Sequence, residues 1–348
     1  MADSDLSNAD LSSADLIDAD ILIIGAGPAG LFASYYAGMR GLDVVLVDSL
    51  DHLGGQVAAL YPEKFIYDVA GFPAVRGRDL IAGLVEQAAS ADPRILLGEE
   101  CSTLEDQPDG TLIAATTAGT RIHCGAVLIT GGIGRFTPRP LPAVDAYTGG
   151  GIHRAVGPAE EYAEHDVVIV GGGDSAVDWA NMLAETARSV TIVHRRARFT
   201  AHESSVARLR ESSARVIMEA ELVELLGDPA VEQVIVKGAK QDFLETIPAS
   251  VVVPALGHIA ALGPISGWGL RVEARQIEVG TDMSTGRPRV FAAGDITDYP
   301  GKVRLMAVGF GEAATAVNNI AVLLRPGEDV FPGHSSELPR AVGAGIGV

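Results

Sequence analysis

Cysteine is scarce in this chain of 348 residues, whose only thiols are Cys101 and Cys124. They stand 23 positions apart, so the sequence contains neither a C-x-x-C dithiol nor the dense cysteine pattern of a disulfide framework. Few and widely spaced cysteines are typical of proteins that work in a reducing compartment. We therefore expect a cytoplasmic protein without structural disulfides.

Basic residues are also few, since 26 lysines and arginines stand against 45 aspartates and glutamates, for a formal net charge of −19. A charge of this sign and size favours solubility and argues against general binding to nucleic acids or anionic membranes. The chain has no run of 18 apolar residues and starts with no basic, apolar leader. The sequence therefore predicts neither a membrane span nor a secretory signal.

The first twenty residues contain six aspartates and no lysine or arginine, in a repeat of five residues. The repeat resembles a fragment of a pentapeptide solenoid, but a solenoid needs several complete coils to bury a core. A high density of one charge with few large apolar residues favours disorder instead. We predict that residues 1–20 form an acidic, disordered tail.

A strand, a glycine-rich turn and a helix follow this tail. Four consecutive aliphatic residues, Ile21–Ile24, predict a strand buried on both faces, and Gly25, Gly27 and Gly30 continue it as G-x-G-x-x-G. In a dinucleotide fold the first glycine allows the tight turn and the second admits a pyrophosphate. The third lets the helix pack against the strand. Free N–H groups at the start of the helix then bind phosphate oxygens.

The same pattern recurs later in the chain. A second aliphatic strand continues into Gly171, Gly173 and Ala176, which reproduce the pattern as G-x-G-x-x-A. In each unit the next strand ends 23 positions after the first glycine, at Asp48 in one and at His194 in the other. The chain therefore contains two dinucleotide-binding units of equal length.

The two units differ in charge at the end of that next strand. A carboxylate such as Asp48 accepts hydrogen bonds from ribose hydroxyls and repels a 2′-phosphate, whereas Arg195 and Arg196 bind a 2′-phosphate. We therefore predict FAD at the first turn and NADPH at the second. The alternative for the arginines is a solvated surface run.

Two stretches mark the passage between the units. Pro138, Pro140 and Pro142 lie as close together as prolines do in a linker. A later strand ends at Gly257, where we expect the chain to cross back to the first domain. The predicted fold class is α/β, with two Rossmann-like dinucleotide-binding domains. The FAD-binding domain comprises residues 21–134 and 258–348, and the NADPH-binding domain comprises residues 135–257.

Further stretches add candidates for the first site. A strand that ends in Gly294–Asp295 places a carboxylate near a second part of the nucleotide, and a glycine-led helix begins at Gly309. The loop Leu60–Pro73 contains aromatic residues. Two interpretations stay open: these residues stack on a flat cofactor, or they pack within the loop. No metal site is predicted, because His202–Glu203 has no second histidine at the spacing of a zinc motif.

Nearly the whole chain, from about Asp20 to Glu337, resembles the thioredoxin-reductase-like ferredoxin–NADP(+) reductases. The first fingerprint, Val290–Asp295 and the paired domains mark the wider superfamily of two-domain flavoprotein disulfide reductases. The narrower marks are Leu53–Gln56, Tyr61–Lys64, Gly71–Pro73, Gly171–Ala176, His194–Arg196, Ala201–Glu203, Gly309–Glu312, Asn318–Asn319 and His334–Ser336.

The resemblance implies roles at both cofactors. Asp48 holds the adenosine ribose of FAD, Gln56 and Asp295 contact its ribityl and pyrophosphate part, and Cys101 meets the adenine region through its backbone. The implied ligands of NADPH are Gly172, Gly173, Asp174, Ser175, His194, Arg195 and Arg196.

At the isoalloxazine ring the resemblance implies four further residues. Tyr61 stacks on one face of the ring and His334 covers the other, which makes these two the candidate catalytic residues. Phe136 and Ser336 lie close to the ring. The alternative for His334 is a mobile residue near the chain end.

The missing dithiol bears on the electron acceptor. Thioredoxin reductases carry C-x-x-C just ahead of the second fingerprint, where this chain has His153–Val156, so no internal disulfide receives electrons from the flavin. The resemblance implies a homodimer in which hydride passes from NADPH to flavin N5. Single electrons then pass to ferredoxin or flavodoxin, or the sequence runs in reverse.

Two other functions stay open at this point. One is an NADPH-dependent reductase of quinones, free flavin or iron, and the other is a flavin-binding redox sensor. An acidic ferredoxin would need a local basic patch on this acidic chain, and the candidates for it are Arg135, Arg139, Lys302 and Arg304.

Overall fold

In the computed structural model the chain is described over residues 16–240 and 242–334. These residues form two compact units, one of residues 16–58, 65–135 and 261–334 and the other of residues 59–64 and 136–260. The domain boundaries predicted from the sequence, after residues 134 and 257, lie one and three residues before the boundaries between the two units. The prediction also kept residues 59–64 in the first domain.

Strands are the more numerous elements in both units. Within the described residues they are β1 (Leu16–Ile24), β2 (Val44–Asp48), β3 (Phe65–Ile66), β4 (Val75–Arg76), β5 (Arg94–Leu97), β6 (Cys101–Asp106), β7 (Leu112–Thr116), β8 (Arg121–Ile129), β9 (Arg135–Pro138), β10 (Asp166–Gly171), β11 (Ser189–His194), β12 (Arg215–Met218), β13 (Ala220–Leu226), β14 (Gln233–Gly238), β15 (Leu244–Pro248), β16 (Val251–Ala255), β17 (His258–Ala261), β18 (Val272–Glu273), β19 (Gln276–Glu278), β20 (Val290–Ala292) and β21 (Thr297–Asp298).

The helices of the described residues lie between these strands. They are α1 (Pro28–Met39), α2 (Gly55–Leu60), α3 (Gly77–Ala89), α4 (Pro142–Asp145), α5 (Asp174–Leu183), α6 (Glu203–Glu211) and α7 (Met306–Leu324). Two short 3₁₀ helices cover Ala159–Tyr162 and Gly263–Gly267.

The first unit is built on a sheet with the strand order β5–β2–β1–β8–β7–β6, in which β20 also pairs with β8. Strands β5, β2, β1, β8 and β20 run parallel, and β7 and β6 continue from β8 as an antiparallel meander. Ile21–Ile24 and the whole of β2 are buried, as expected for parallel strands covered on both faces. The carboxyl ends of β1, β2 and β20 therefore share one edge, where open α/β sheets bind their ligands.

Residues 16–20 belong to this sheet. Strand β1 begins at Leu16, and residues 16–19 pair with Arg121–Cys124 of β8. The Asp20 carboxylate accepts a hydrogen bond from the Asp43 backbone N–H at 3.0 Å. The prediction of a disordered tail is therefore wrong for residues 16–20, because pairing with a distant strand outweighs their acidic composition. The rest of the predicted tail, residues 1–15, lies outside the described residues.

Two helices pack on the first sheet, and a third packs against one of them. Helix α1 packs on β1 and β2 and contacts both α3 and α7, and α7 also packs against β8. Among the described residues, α7 is the one helix long and apolar enough to cross a membrane by length and composition, and 44% of the tested stretch is buried. A helix with one apolar face packed on a sheet is typical of a protein core.

The second unit repeats the design on a smaller scale. Its parallel sheet has the order β12–β11–β10–β16, and α5 packs on β10 and β11. Val167 and Ile169 of β10 contribute to one hydrophobic core with Trp179, while Val168 and Val170 contribute to another. The antiparallel sheet β13–β14–β15 supplies residues to the second core. Both faces of β10 are therefore covered, as its unbroken aliphatic run predicts.

The chain passes between the units in two strands, β9 and β17, which pair with each other. Just beyond β9, the Arg139 N–H donates to the carbonyl oxygen of Gly257 at 3.0 Å. Gly257 adopts a φ of +76°, a conformation that side chains with a β-carbon disfavour. The two stretches that were predicted as linkers from sequence are thus hydrogen-bonded to each other.

Candidate functional site

The first glycine turn is closely packed where strand meets helix. Gly25 has a φ of +110°, and a β-carbon built on Gly30 would lie 1.8 Å from the Gly25 carbonyl oxygen. Thr130, which follows β8, donates its hydroxyl to that same oxygen at 2.7 Å. Glycine is therefore required at both positions for α1 to lie against β1.

Around Gly27 the turn is open. A β-carbon at Gly27 would meet only the Cα of Gly55, at 3.9 Å, whereas a β-carbon at Gly55 would lie 2.9 Å from the Gly27 Cα. Gly27 is the N-cap of α1, Pro28 follows, and the first turn of the helix contains no acidic residue. Free N–H groups at an uncovered helix start suit a pyrophosphate.

Asp48 connects the end of β2 to this turn. Its Oδ2 accepts a hydrogen bond from the Ala26 N–H at 2.6 Å, and its Oδ1 accepts one from the Leu50 N–H at 2.8 Å. Burial raises the pKa of this carboxyl, although the two backbone donors oppose the shift. Each oxygen has a second lone pair with which to accept a hydrogen bond from a ribose hydroxyl. Asp48 thus lies at the end of β2 and holds the turn in shape, and its role toward the ribose of FAD stays a prediction.

Gln56 and Asp295 also lie in the first unit. The side-chain amide of Gln56 stands 2.7 Å from where a β-carbon on Gly132 would be, just beyond β8. Asp295 follows β20, and burial raises the pKa of its carboxyl, while Lys302 and Arg304 oppose the shift. No hydrogen bond to this carboxylate occurs among the described residues, so its oxygens are available to hydroxyl groups of a ligand.

The second glycine turn is likewise closed at its first glycine and open where its helix begins. A β-carbon on Gly171 would lie 2.2 Å from the Ala255 carbonyl oxygen, and one on Gly172 would lie 2.3 Å from the ring of His194. At Gly173 the nearest atom would be the Thr200 hydroxyl, at 3.8 Å. The turn is therefore closed beneath Gly171 and Gly172 and open at Gly173, where α5 begins.

The predicted NADPH ligands divide into buried and exposed groups. His194 is buried, stacks on Phe199 with ring centroids 5.4 Å apart, and contacts the Arg198 carbonyl oxygen through Nε2 at 3.0 Å. Burial lowers its pKa and so favours the neutral ring. Arg195 and Arg196 are exposed. The imidazole thus shapes the loop from within, and the guanidinium groups are the charges that face outward.

Asp174 and Ser175 stand exposed at the start of α5. The Asp174 carboxylate accepts a hydrogen bond from the His202 N–H at 2.8 Å, which joins α5 to the segment before α6. With Gly172 and Gly173, these residues form the rim of the second turn.

The residues predicted to lie at the isoalloxazine ring are divided between the two units. Tyr61 is half-buried in residues 59–64, which group with the second unit, and Phe136 of the same unit meets His258 edge-on with ring centroids 5.5 Å apart. His334 is exposed beside Phe331, at a ring distance of 5.2 Å, and is the last described residue. Ser336 lies outside the described residues. Their roles toward FAD stay predictions.

The two cysteines are buried in the first unit. Cys101 is 2% exposed and Cys124 is 1% exposed, and burial raises the pKa of each thiol to about 12. A thiol with such a pKa carries almost no thiolate at neutral pH and is a poor nucleophile. The Cys101 thiol is therefore unsuited to act as a nucleophile, and its predicted contribution to FAD binding through the backbone stays a prediction.

Sequence reasoning missed two features of the first site. The Thr130 hydroxyl, which holds Gly25, was indicated only by the small residues after β8. Lys302 was predicted for ferredoxin docking, and this is wrong, because its side chain is 2% exposed and paired with the buried Glu312. The sequence contains no local signal that would have paired these two residues.

Comparison with known proteins identifies the family. Residues 19–318 match the pyridine nucleotide-disulphide oxidoreductase family. The ferredoxin–NADP reductase of Salinispora arenicola (strain CNS-205) is 55% identical over 319 residues, which are 91% of this chain and 98% of that one. The chain belongs to the ferredoxin–NADP reductases of this family.

Two further comparisons agree with this membership. The ferredoxin–NADP reductase of Nocardioides sp. (strain ATCC BAA-499 / JS614) is 55% identical over 322 residues, covering 91% of this chain and 96% of that one. The crystal structure of T. acidophilum thioredoxin reductase has a TM-score of 0.70 at 25% identity, covering 87% and 98% of the two chains. The predicted family, fold class and cofactors are thereby confirmed.

Members of this family use FAD and NADPH, and the residues present fit both. At the first turn the open Gly27 and the carboxylates of Asp48 and Asp295 suit a pyrophosphate flanked by hydroxyl groups. At the second, the open Gly173 and two exposed arginines suit a pyrophosphate and a 2′-phosphate. Among the described residues, no group of three His, Cys, Asp or Glu side chains is placed to hold a metal ion.

Proposed function

We infer that this protein is an FAD-dependent oxidoreductase that transfers electrons between NADPH and ferredoxin. The observation that carries the inference is 55% identity, over 91% of the chain, to a ferredoxin–NADP reductase. When bound, FAD supplies the redox chemistry, accepting a hydride from NADPH and exchanging single electrons with ferredoxin. The protein binds and orients the two nucleotides at separate turns of opposite charge.

The absence of a dithiol supports an external acceptor. The chain's two thiols are buried in β6 and β8, with pKa values of about 12. His153–Val156 contains no cysteine. A protein that passes electrons to a disulfide needs a reactive thiolate, which neither cysteine provides.

Stopped-flow reduction tests this function directly. The holoenzyme is reduced by NADPH under anaerobic conditions and is then mixed in turn with ferredoxin, flavodoxin, thioredoxin, a quinone, free FMN and ferric citrate. We expect reoxidation by ferredoxin or flavodoxin to be at least about tenfold faster than by the other acceptors. Equal rates with quinone, free flavin or iron would instead indicate a general NADPH-dependent reductase. Reduction without useful transfer to any acceptor would indicate a sensor.

We also propose that the protein acts in the cytoplasm as a homodimer, and that His334 and Tyr61 cover the isoalloxazine ring. Support for a dimer comes from aromatic side chains that the first unit exposes: Phe65 is 50% exposed, Tyr67 73% and Phe72 49%. Residues 67–73 and Ala307 line a groove of about 540 Å³ beside them. Exposed aromatic clusters are typical of protein interfaces.

Sedimentation equilibrium of the full chain tests the dimer. We expect the mass of two chains at micromolar concentration, and a shift toward one chain in the double variant Tyr67→Ser/Phe72→Ser. The matched control is Leu244→Ser in β15 of the second unit, which removes a 68% exposed apolar side chain outside this surface. A wild-type protein that sediments as a monomer would contradict the proposal.

A further inference from the structure

A buried ion pair lies in the first unit. The side chain of Lys302 is 2% exposed and that of Glu312, on α7, is 5% exposed, and the two are in direct contact. The Tyr299 hydroxyl also donates to Glu312 Oε1, at 2.6 Å. That hydrogen bond is the main reason why the pKa of Tyr299 rises to about 12.

The pair holds the backbone of a single residue, Gly294, through the two peptide groups that flank it. Glu312 Oε2 accepts the Gly294 N–H at 2.8 Å, and Lys302 Nζ donates to the Gly294 carbonyl oxygen at 3.0 Å. The Thr297 hydroxyl donates to the same oxygen at 2.8 Å. Both backbone groups of Gly294, which adopts a φ of +85°, are therefore bound by buried charged side chains.

Gly294 stands where three elements of the first site meet. A β-carbon on Gly294 would lie 3.2 Å from the Cβ of Ala29, in the first turn of α1, and one on Gly309 would lie 3.3 Å from the Gly294 Cα. The start of α1, the end of β20 and the start of α7 therefore converge at Gly294. Asp295, whose carboxylate has no hydrogen bond within the described residues, is the next residue along the chain.

We propose that Lys302 and Glu312 are positioning residues for FAD, holding the Gly294 backbone so that the Asp295 carboxylate faces the nucleotide. The opposite charges of Lys302 and Glu312 neutralise each other. The Asp295 carboxylate can therefore accept hydrogen bonds from the hydroxyl groups of the ligand. The proposal deepens the function inferred above and rests on FAD binding at the first turn.

Stability alone does not explain the pair. Replacing both partners of a buried ion pair with uncharged residues is often nearly neutral for folding, whereas removing one partner leaves an uncompensated buried charge. A pair that holds both the N–H and the carbonyl of one glycine instead restricts the direction in which the chain continues. The consequence to be measured is therefore the affinity for FAD, as well as the melting temperature.

The test measures FAD binding to apoprotein prepared from the full chain. In Lys302→Met we expect the FAD dissociation constant to rise about 100-fold, because Glu312 loses its cation and the Gly294 carbonyl loses its donor. Restoring neutrality in Lys302→Met/Glu312→Gln is expected to recover affinity to within about tenfold of wild type. The visible spectrum and midpoint potential of the bound flavin are expected to follow the same order.

A milder variant keeps the test decisive if Lys302→Met fails to fold. Tyr299→Phe removes one hydrogen bond to Glu312 and is expected to weaken FAD binding about fivefold. The control is Arg287→Met, which removes a cation that is 13% exposed and donates to the carbonyl oxygens of Trp268 and Leu104, at 2.8 and 3.0 Å. We expect it to lower the melting temperature and to leave the FAD dissociation constant within about twofold.

The outcomes distinguish a failure of this inference from a failure of the proposed function. If wild-type apoprotein binds no FAD, the assigned cofactor and the proposed function fail together. If wild type binds FAD and both Lys302→Met and Tyr299→Phe bind it equally well, the proposed function stands and the positioning role is refuted. Recovery of affinity in the double variant supports the role, since two independent defects would add.

Discussion

Replacement of Arg195 and Arg196 by alanine is expected to lower the preference for NADPH over NADH about 100-fold, measured as the ratio of the two kcat/KM values. Both side chains are exposed, directly follow β11, and make no hydrogen bond or ion pair among the described residues. Guanidinium groups without internal partners are available to a 2′-phosphate, to which they form strong charge-assisted bonds. NADH lacks that phosphate, so its kcat/KM is expected to change less than about threefold.

The matched control is Arg208→Ala/Arg210→Ala. These arginines are also exposed and lie in α6 of the same unit, so the control removes the same charge from a helix rather than from the loop after β11. We expect the control to keep the wild-type preference within about twofold, because exposed charges act at a distance only weakly in physiological salt. Full retention of the preference in the Arg195 and Arg196 variant would refute the assignment of the 2′-phosphate site.

Gly30→Ala is expected to yield protein that purifies without FAD. The new β-carbon would lie 1.8 Å from the Gly25 carbonyl oxygen and 2.7 Å from the Thr130 hydroxyl, so α1 must move away from β1. The carbonyl belongs to the turn itself, and the start of α1 supplies the N–H groups for the pyrophosphate. We expect FAD affinity to fall at least about 100-fold and stability to fall by about 1–3 kcal/mol, as in overpacked sites.

Gly83→Ala in α3 is the control for this variant. A β-carbon there would meet no atom within 4 Å, so the substitution is expected to keep FAD and to raise stability by up to about 1 kcal/mol. Flavin absorbance per mole of purified protein and thermal melting are the measurements. Retention on immobilised 2′,5′-ADP reports on the second turn and is expected to persist in both variants. A yellow Gly30→Ala protein with wild-type FAD content would contradict the assignment of this turn.

The glycine turns and their opposite charges could be predicted from the sequence, because each depends on residues close together in the chain. The glycines of each turn follow directly from an aliphatic strand, and Asp48 and Arg195 come at the end of the next one. Such segments fold into the same strand, turn and helix wherever they occur, and a carboxylate or guanidinium determines by its chemistry which nucleotide it accepts. The absence of C-x-x-C likewise excluded an internal disulfide acceptor without any structure.

Other features depend on contacts between distant residues, which local sequence does not encode. Residues 16–20 are acidic enough to predict a tail, yet pairing with β8 makes them a strand. His194 was predicted from the sequence to be a ligand of NADPH. In the structure its ring packs against Gly172 and Phe199 and is buried.

From the sequence alone, Lys302 is expected to be a surface cation. In the structure it is paired with Glu312 of α7, which also accepts a hydrogen bond from the Gly294 N–H. The sequence by itself determined which two nucleotides the chain binds, because local pattern and side-chain chemistry suffice for that. Only the tertiary structure decided which charged residues are exposed beside the turns and which hold the turns from within, because burial is set by chain segments that are far apart in sequence.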